Sequence, residues 1–299
     1  METFTDKAKR LDRIRKALKR TYGEVERPPV THPVEHAVRT VLAEEATRAG
    51  ADAAMDRIRD HFIDFNDLRV SRPREIRDVL GDDFPRAGSK ARVIPRLLDQ
   101  VFKRHNSMVW DFLEEMGKIE CREFFEALEE VRPYVAATMA RDCAGAHAFP
   151  VDRDIGRVLG RLGLVDIDSD SETDMQAFME RAVKSEQAWD LHALLRRLAE
   201  EVCLVDEPRC KACPLKTMCP TAERRAEERK RTRTKKKAAA KKKKKKGARA
   251  SKKAAGRKGA AKASKTKKRK KTASRSKSAK AKGGSRAKRK KTAKRKTKR

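Results

Sequence analysis

The sequence predicts an all-α body followed by a basic tail without folded structure. Three observations lead there. Apolar residues between positions 6 and 202 recur at helical spacing, and no segment alternates as a half-buried strand does. Four of the six cysteines fall between residues 203 and 219. The charge is also segregated. Residues 220–299 hold 41 Lys and Arg against 3 Asp and Glu, which leaves 37 basic and 41 acidic residues in 1–219 of a chain whose net charge is +34. The body is thus slightly acidic, and the tail carries the whole positive excess.

Residues 6–21 read as an amphipathic helix with Leu11, Ile14 and Leu18 on one stripe, stopped at Tyr22-Gly23 and followed by a surface linker to Pro33. Val34, Ala37, Val38, Val41, Leu42 and Ala46 form a stripe too apolar for a surface helix, so this segment is expected at the centre of the first lobe. Helices follow over 51–63, over 72–80 with Ser71 as cap and Gly81 as stop, and over 90–104, where Pro95 predicts a kink. Further helices are expected at 107–116, 120–129, 133–146, 153–162 after Asp152, 172–184 behind Ser171, and 187–202. His32-Pro-Val-Glu-His36 spells a zinc-peptidase string, but Pro33 suits a first helical turn. That puts His32 before the helix, off the face a metal would need, and no third ligand is in sight.

No run approaches the roughly twenty apolar residues that span a bilayer, and the N-terminus METFTDKAKR lacks an apolar signal core. The expectation is a soluble protein of a prokaryotic cytoplasm, associated with the nucleoid, or of a nucleus. Such compartments keep thiols reduced, which argues against disulfides.

The cysteines run Cys203-LVDEPR-Cys210-KA-Cys213-PLKTM-Cys219, a spacing of C-x6-C-x2-C-x5-C. Thiolates this close repel one another and are stable around a positive centre. Zinc modules usually pair two C-x2-C knuckles and this segment has one, so an iron–sulfur cluster is favoured, with structural zinc as the alternative. Cys121 and Cys143 lie on expected helices and read as core residues.

The cysteine spacing resembles the [4Fe–4S] loop of the endonuclease III family, the helix-hairpin-helix DNA glycosylases. Phe149-Pro-Val-Asp-Arg-Asp-Ile-Gly-Arg-Val158 is similar to the family's V-D-T-H-x-x-R-V segment. Asp6-KAKRLDRIRKAL, Val41-LAEEATR and Ser89-Lys90-Ala91 resemble its first helix, its L-S-A-Q-A-T-D stretch and its N-S-K-A. The likeness is collinear over residues 6–220. It implies a two-lobed fold: a six-helix barrel lobe at 33–148, and a cluster lobe at 149–222 to which the N-terminal helix and linker, 1–32, return. A DNA groove lies between the lobes, and a [4Fe–4S] cluster is held by Cys203, Cys210, Cys213 and Cys219 in a largely structural role.

Asp152 stands at the family's catalytic aspartate. A carboxylate beside the anomeric carbon stabilises the cationic sugar formed as the base departs. Asp152 also fits the N-cap of the helix that follows, and both roles can hold together. Where strand-cutting members have the lysine of L-P-G-V-G-x-K-T-A, this chain has Leu128-Glu-Glu-Val-Arg-Pro-Tyr-Val-Ala136, with Tyr134 at the lysine position. Some members that release a base without cutting also have tyrosine there, so the resemblance implies excision without Schiff-base chemistry. The hairpin glycines that admit a phosphate are replaced by Glu130 and Arg132, beside Glu129 and Pro133. Arg132 is the residue there that can still hold a phosphate. Glu45 replaces the glutamine inserted into the duplex. Asp206 and Glu207 make the first cluster loop acidic, offset in part by Lys211 and Lys216.

The tail, from 223, includes Lys241, Lys242, Lys243, Lys244, Lys245 and Lys246 in one run and resembles histone-like tails in composition. Such a segment cannot bury enough apolar surface to order itself, and it binds polyanions by releasing counterions. Double-stranded DNA is the expected partner, with RNA second; no apolar anchor points to a membrane, and nothing marks an obligate protein partner. The functional expectation is a monofunctional DNA N-glycosylase. The alternative is an inactive glycosylase-fold protein that binds or compacts DNA through its tail.

Overall fold

The computed structural model describes residues 2–237. Residues to Arg229 form one compact unit and those from Lys230 a second. The helices of the first unit before residue 220 are α1 (Phe4–Tyr22), α2 (Pro33–Ala43), α3 (Arg48–His61), α4 (Phe65–Val70), α5 (Pro73–Leu80), α6 (Ala87–His105), α7 (Phe112–Glu115), α8 (Lys118–Glu126), α9 (Pro133–Cys143), α10 (Arg153–Arg161), α11 (Glu172–Ala182) and α12 (Ser185–Glu201). The described residues contain no strand.

Two apolar cores organise the first unit. One runs from Val34 to Ala146 and is centred on α2, whose Ala37, Val38 and Leu42 are fully buried against α3, α6 and α9. Each such Val or Leu contributes about 1.5–3 kcal/mol by leaving water. The second core joins Leu11, Ile14 and Leu18 of α1 to Phe149, Ile155, Leu159, Leu191, Leu195 and Leu215. The first helix therefore packs against α11 and α12, far along the chain.

Local chemistry fixes the ends. Thr3 and Asp6 form a reciprocal capping box on α1, as Ser171 and Asp174 do on α11. Pro33 and Pro133 occupy first-turn positions of α2 and α9, where a missing N–H costs nothing. His32 is accordingly the N-cap of α2, while His36 pairs with Asp142. Lys90 of α6 is buried, and its Nζ donates to the carbonyls of Leu42 (2.9 Å) and Glu44 (2.7 Å), which satisfies the C-terminus of α2.

Several boundaries differ from expectation. Ser71 is not the N-cap of α5 but the C-cap of α4, where its hydroxyl donates to the Asp67 carbonyl, and α5 starts at Pro73 with Arg72 as N-cap. Helix α4 had no expected counterpart, because six residues offer too little periodicity. The expected helix 107–116 shrinks to α7, since the Ser107 hydroxyl bonds the Val109 backbone and holds a turn there. Expected to lack structure from 223, residues 220–229 are helical, and so are 230–237 of the second unit. Their Ala, Glu, Arg and Lys are strong helix formers. The lysine run 241–246 lies outside the described residues.

Candidate functional site

The segment leading to Asp152 is anchored by the fully buried Phe149 and Val151. Asp152 is the N-cap of α10, with Oδ1 accepting from the Ile155 N–H at 2.9 Å. Its Oδ2 accepts from the Glu45 N–H at 3.2 Å and is ion-paired with Arg196 Nη1 of α12. The Glu45 backbone reaches it because Glu45 adopts φ 55°, a left-handed turn between α2 and α3. Arg196 Nη2 donates in addition to the carbonyls of Ala43 (2.9 Å) and Ala46 (2.7 Å). One guanidinium thus ties α12 to the α2–α3 turn and to the aspartate. Burial works against its charge, but the neighbouring Tyr134, Asp152 and Glu200 outweigh burial and raise its pKa. With 0% exposure, Asp152 is closed off from solvent.

Tyr134 lies in the first turn of α9 and is 4% exposed. Burial pushes its phenol up to about 12, with Arg196 opposing and Asp152 adding to the shift. It is a neutral hydroxyl beside an anion, and it lacks the amine that Schiff-base chemistry needs.

The hairpin between α8 and α9 keeps its turn without glycines. Glu130 takes φ 63°, a left-handed conformation that glycine adopts freely. Its carboxylate pairs with Arg96, and Gln100 clamps the turn through the Glu129 N–H (2.8 Å) and carbonyl (3.1 Å). Arg132, expected to meet a phosphate, instead pairs with Glu44 and with Glu172 of α11. Burial raises the pKa of Glu44 while Arg132 and Arg86 oppose it. The side chain of Glu45 is held by Arg86 Nη1 at 2.9 Å. The two side chains expected to touch DNA on this face are therefore both engaged within the protein.

Tyr134 and Arg196 also line a cavity of about 1090 Å³ between α2, α9, α12 and the linker before α2. Across the α2–α3 turn lies a second cleft, with Glu45, Asp82, Asp83 and Asp154 among its walls and Leu204 and Val205 of the first cysteine loop at its edge.

The four clustered cysteines are half-buried. Burial pushes the Cys213 thiol up to about 11, and the other three thiols of the loop push it the same way. Arg161 of α10 holds the loop, donating to the carbonyls of Cys203 (3.2 Å), Leu204 (2.5 Å) and Val205 (2.6 Å) and to Cys203 Sγ (3.4 Å). Among the described residues, no three His, Cys, Asp or Glu side chains are arranged to hold a single metal ion. Lys211 and Lys216 are exposed on this loop beside the exposed Asp206 and Glu207.

Sequence reasoning singled out Asp152, Tyr134 and Glu45, and the structure brings them together. It missed Arg196. No local pattern marked it, because the residues one turn away from it on α12, His192 and Glu200, are themselves polar.

No family model matches the chain. A curated endonuclease III from Sulfolobus acidocaldarius is 25% identical over 183 residues, covering 60% of this chain and 78% of the relative. Among solved structures, a trapped endonuclease III–DNA covalent intermediate superposes with a TM-score of 0.60 at 19% identity, over 73% of this chain and 98% of that one. A thermostable thymine-DNA glycosylase superposes at 0.54 with 16% identity, over 72% and 98%. Both superpositions cover nearly the whole of the other chain, so the helical fold is shared with them. In sequence the chain is thus similar to that endonuclease III, and in fold it is similar to both solved structures.

Proposed function

We propose that the chain is a monofunctional DNA N-glycosylase with Asp152 as its catalytic residue. The observation that carries this reading is the Asp152 carboxylate, held at the N-terminus of α10 by two backbone N–H groups and a guanidinium, with Tyr134 where a lysine would attack. Chemistry on a base requires the nucleotide to leave the stack. The C1′–N bond then breaks with its electron pair going to the base. Asp152 stabilises the cationic sugar, and water supplies hydroxyl to C1′ and a proton to the base. Tyr134 cannot form a Schiff base, so the strand stays intact.

The donor set of Cys203, Cys210, Cys213 and Cys219 fits a [4Fe–4S] cluster. Four neighbouring thiols spaced C-x6-C-x2-C-x5-C suit a group that takes one cysteine ligand per iron. Bound there, the cluster would cross-link the loop to α10 through Arg161, a folding role. The tail, Lys241–Lys246 included, would supply sequence-independent affinity for double-stranded DNA and keep the protein on the nucleoid.

One observation favours a second reading, a DNA-binding protein without chemistry. Asp152 has no exposed surface, and Arg196 occupies the oxygen that would face a sugar. Base release from a panel of damaged and mismatched duplexes separates the two, with abasic sites revealed by heat and with Asp152→Asn alongside. Excision by the natural chain alone establishes the first reading. Tight binding without release across the panel establishes the second.

A further inference from the structure

Two residues that line the large cavity each carry a buried polar atom without a partner. Arg141 of α9 grips Asp142 with Nε (2.8 Å) and Nη2 (3.1 Å), which leaves Nη1 buried and unbonded. His192 of α12 faces the same cavity with Nε2 buried and unbonded. Both residues are more than nine-tenths buried, Arg141 at 5% and His192 at 7% exposure. Burial and the two nearby guanidiniums keep the imidazole neutral. Buried donors without partners are costly and mark a place where something else supplies the acceptor.

The adjacent hydroxyls have the opposite character. Thr138 Oγ1 donates to the Tyr134 carbonyl (2.8 Å) and Thr40 Oγ1 to the His36 carbonyl (2.7 Å), so each offers the cavity only lone pairs. Thr138 and Arg141 are three residues apart on α9 and share a face. The α9 wall therefore sets an acceptor one turn from a free N–H donor, and the rings of Tyr134 and His192, with centroids 6.4 Å apart, line the same cavity. The carboxylates at this end are taken: Asp142 by Arg141 and His36, Asp152 by Arg196.

We propose that Arg141 and Thr138 are specificity-determining residues that read the lactam edge of an everted base, a carbonyl oxygen beside a ring N–H, with His192 closing the pocket. This rests on the glycosylase reading for its purpose but not for its test. An oxo base presents its oxygen to Arg141 and its N–H to Thr138. The matching amino base presents N–H to a donor and a lone pair to a lone pair, and both contacts fail. The unbonded atoms are closed to solvent, so an entering base must shift neighbouring side chains to reach them.

The test uses the full chain and duplexes carrying one 2′-fluoroarabino nucleotide, which resists excision. The base is uracil or cytosine in one pair and hypoxanthine or adenine in the other. Affinity is measured by titration, with Trp189 of the cavity wall as a fluorescent reporter. The oxo base of at least one pair should bind about tenfold more tightly, the value of one mispaired hydrogen bond. Thr138→Val, which keeps the shape, and Arg141→Lys, which keeps a cation for Asp142, should each bring that ratio close to one and leave affinity for undamaged duplex unchanged. No oxo preference in either pair, or a preference that survives both substitutions, overturns the assignment. A preference that both substitutions remove, with no release of the same base from an ordinary duplex, upholds base reading and removes the catalytic reading instead.

Discussion

Arg196 and Asp152 form a buried ion pair that also joins the two cores. The guanidinium donates to the Asp152 carboxylate with one nitrogen and to the Ala43 and Ala46 carbonyls with the other. The carboxylate closes the arrangement by accepting from the Glu45 N–H. The pair itself lies within the second core, and the bonds to Ala43, Glu45 and Ala46 cross to the α2–α3 turn of the first, so the contacts that orient the candidate catalytic group also tie the two cores together. Replacing Arg196 by Met removes one partner of a buried pair and should destabilise the protein by about 3–5 kcal/mol. Arg196→Lys should recover part of that, because one ammonium can reach the carboxylate but not all three acceptors. Urea melts of the three proteins decide it; a change under about 1 kcal/mol for Arg196→Met would mean the pair contributes nothing net.

Asp152→Asn separates charge from shape. The amide can still cap α10, but it no longer offsets a developing cation. Base release should fall by about a hundredfold or more, while the dissociation constant for undamaged duplex stays within about twofold. Equal release by both proteins would remove Asp152 from the chemistry.

How far the sequence could be read depends on the range of the interaction. Val34, Ala37, Val38, Val41 and Leu42 announce a buried helix because the signal repeats every turn, and α2 is that helix. Asp152 was legible as a cap because the cap and its N–H lie three residues apart. Arg196 was not, because its partner lies 44 residues away and nothing local distinguishes it from a solvated arginine. Arg132 was read as a phosphate ligand for the same reason. Its partners Glu44 and Glu172 come from a distant turn and a distant helix. Periodicity reports which face is buried; it does not report which charges meet across an interface.

The hairpin offers a gain of function. Glu130 holds φ 63°, which costs a side-chain-bearing residue about 1 kcal/mol relative to glycine, against a surface pair with Arg96 that contributes less than that. Glu130→Gly should leave stability unchanged or slightly raised. It also removes a negative charge from the turn and frees Arg96, so duplex affinity should rise severalfold at low salt and converge with the natural chain at high salt. Weaker binding in the variant would show that this hairpin does not approach DNA.

Lys90 gives a pH signature. Burial lowers its pKa to about 8, against the Glu44 and Glu45 charges that favour the ammonium. A lysine titrates near 10.4 in the unfolded chain. Between pH 8 and 10.4 the unfolded state therefore binds more protons, so this residue's contribution to stability rises with pH across that window. Below pH 8 the charged ammonium is buried at its full cost. Compared with Lys90→Met, the natural chain should gain about 3 kcal/mol at most between pH 7.5 and 10.5. Chemical denaturation across that range measures it, and a constant difference between the two proteins would place the Lys90 pKa at its ordinary value.

Counterion release sets how strongly the tail holds DNA. Residues 238–299 carry 32 of the chain's 78 Lys and Arg and no Asp or Glu. Each phosphate neutralised adds close to one to the slope of log affinity against log salt. The body is slightly acidic, and two of its expected DNA-facing side chains, Arg132 and Glu45, are held in internal pairs. Removing 238–299 should therefore weaken duplex binding by at least tenfold near 100 mM salt and cut the slope to a small fraction of its full-length value. If excision of a given lesion survives in the shortened chain while its salt slope falls, the body reads the base and the tail only delivers it. An unchanged slope would instead assign the phosphate contacts to the body, and would require Arg132 to leave Glu44 and Glu172 when DNA arrives.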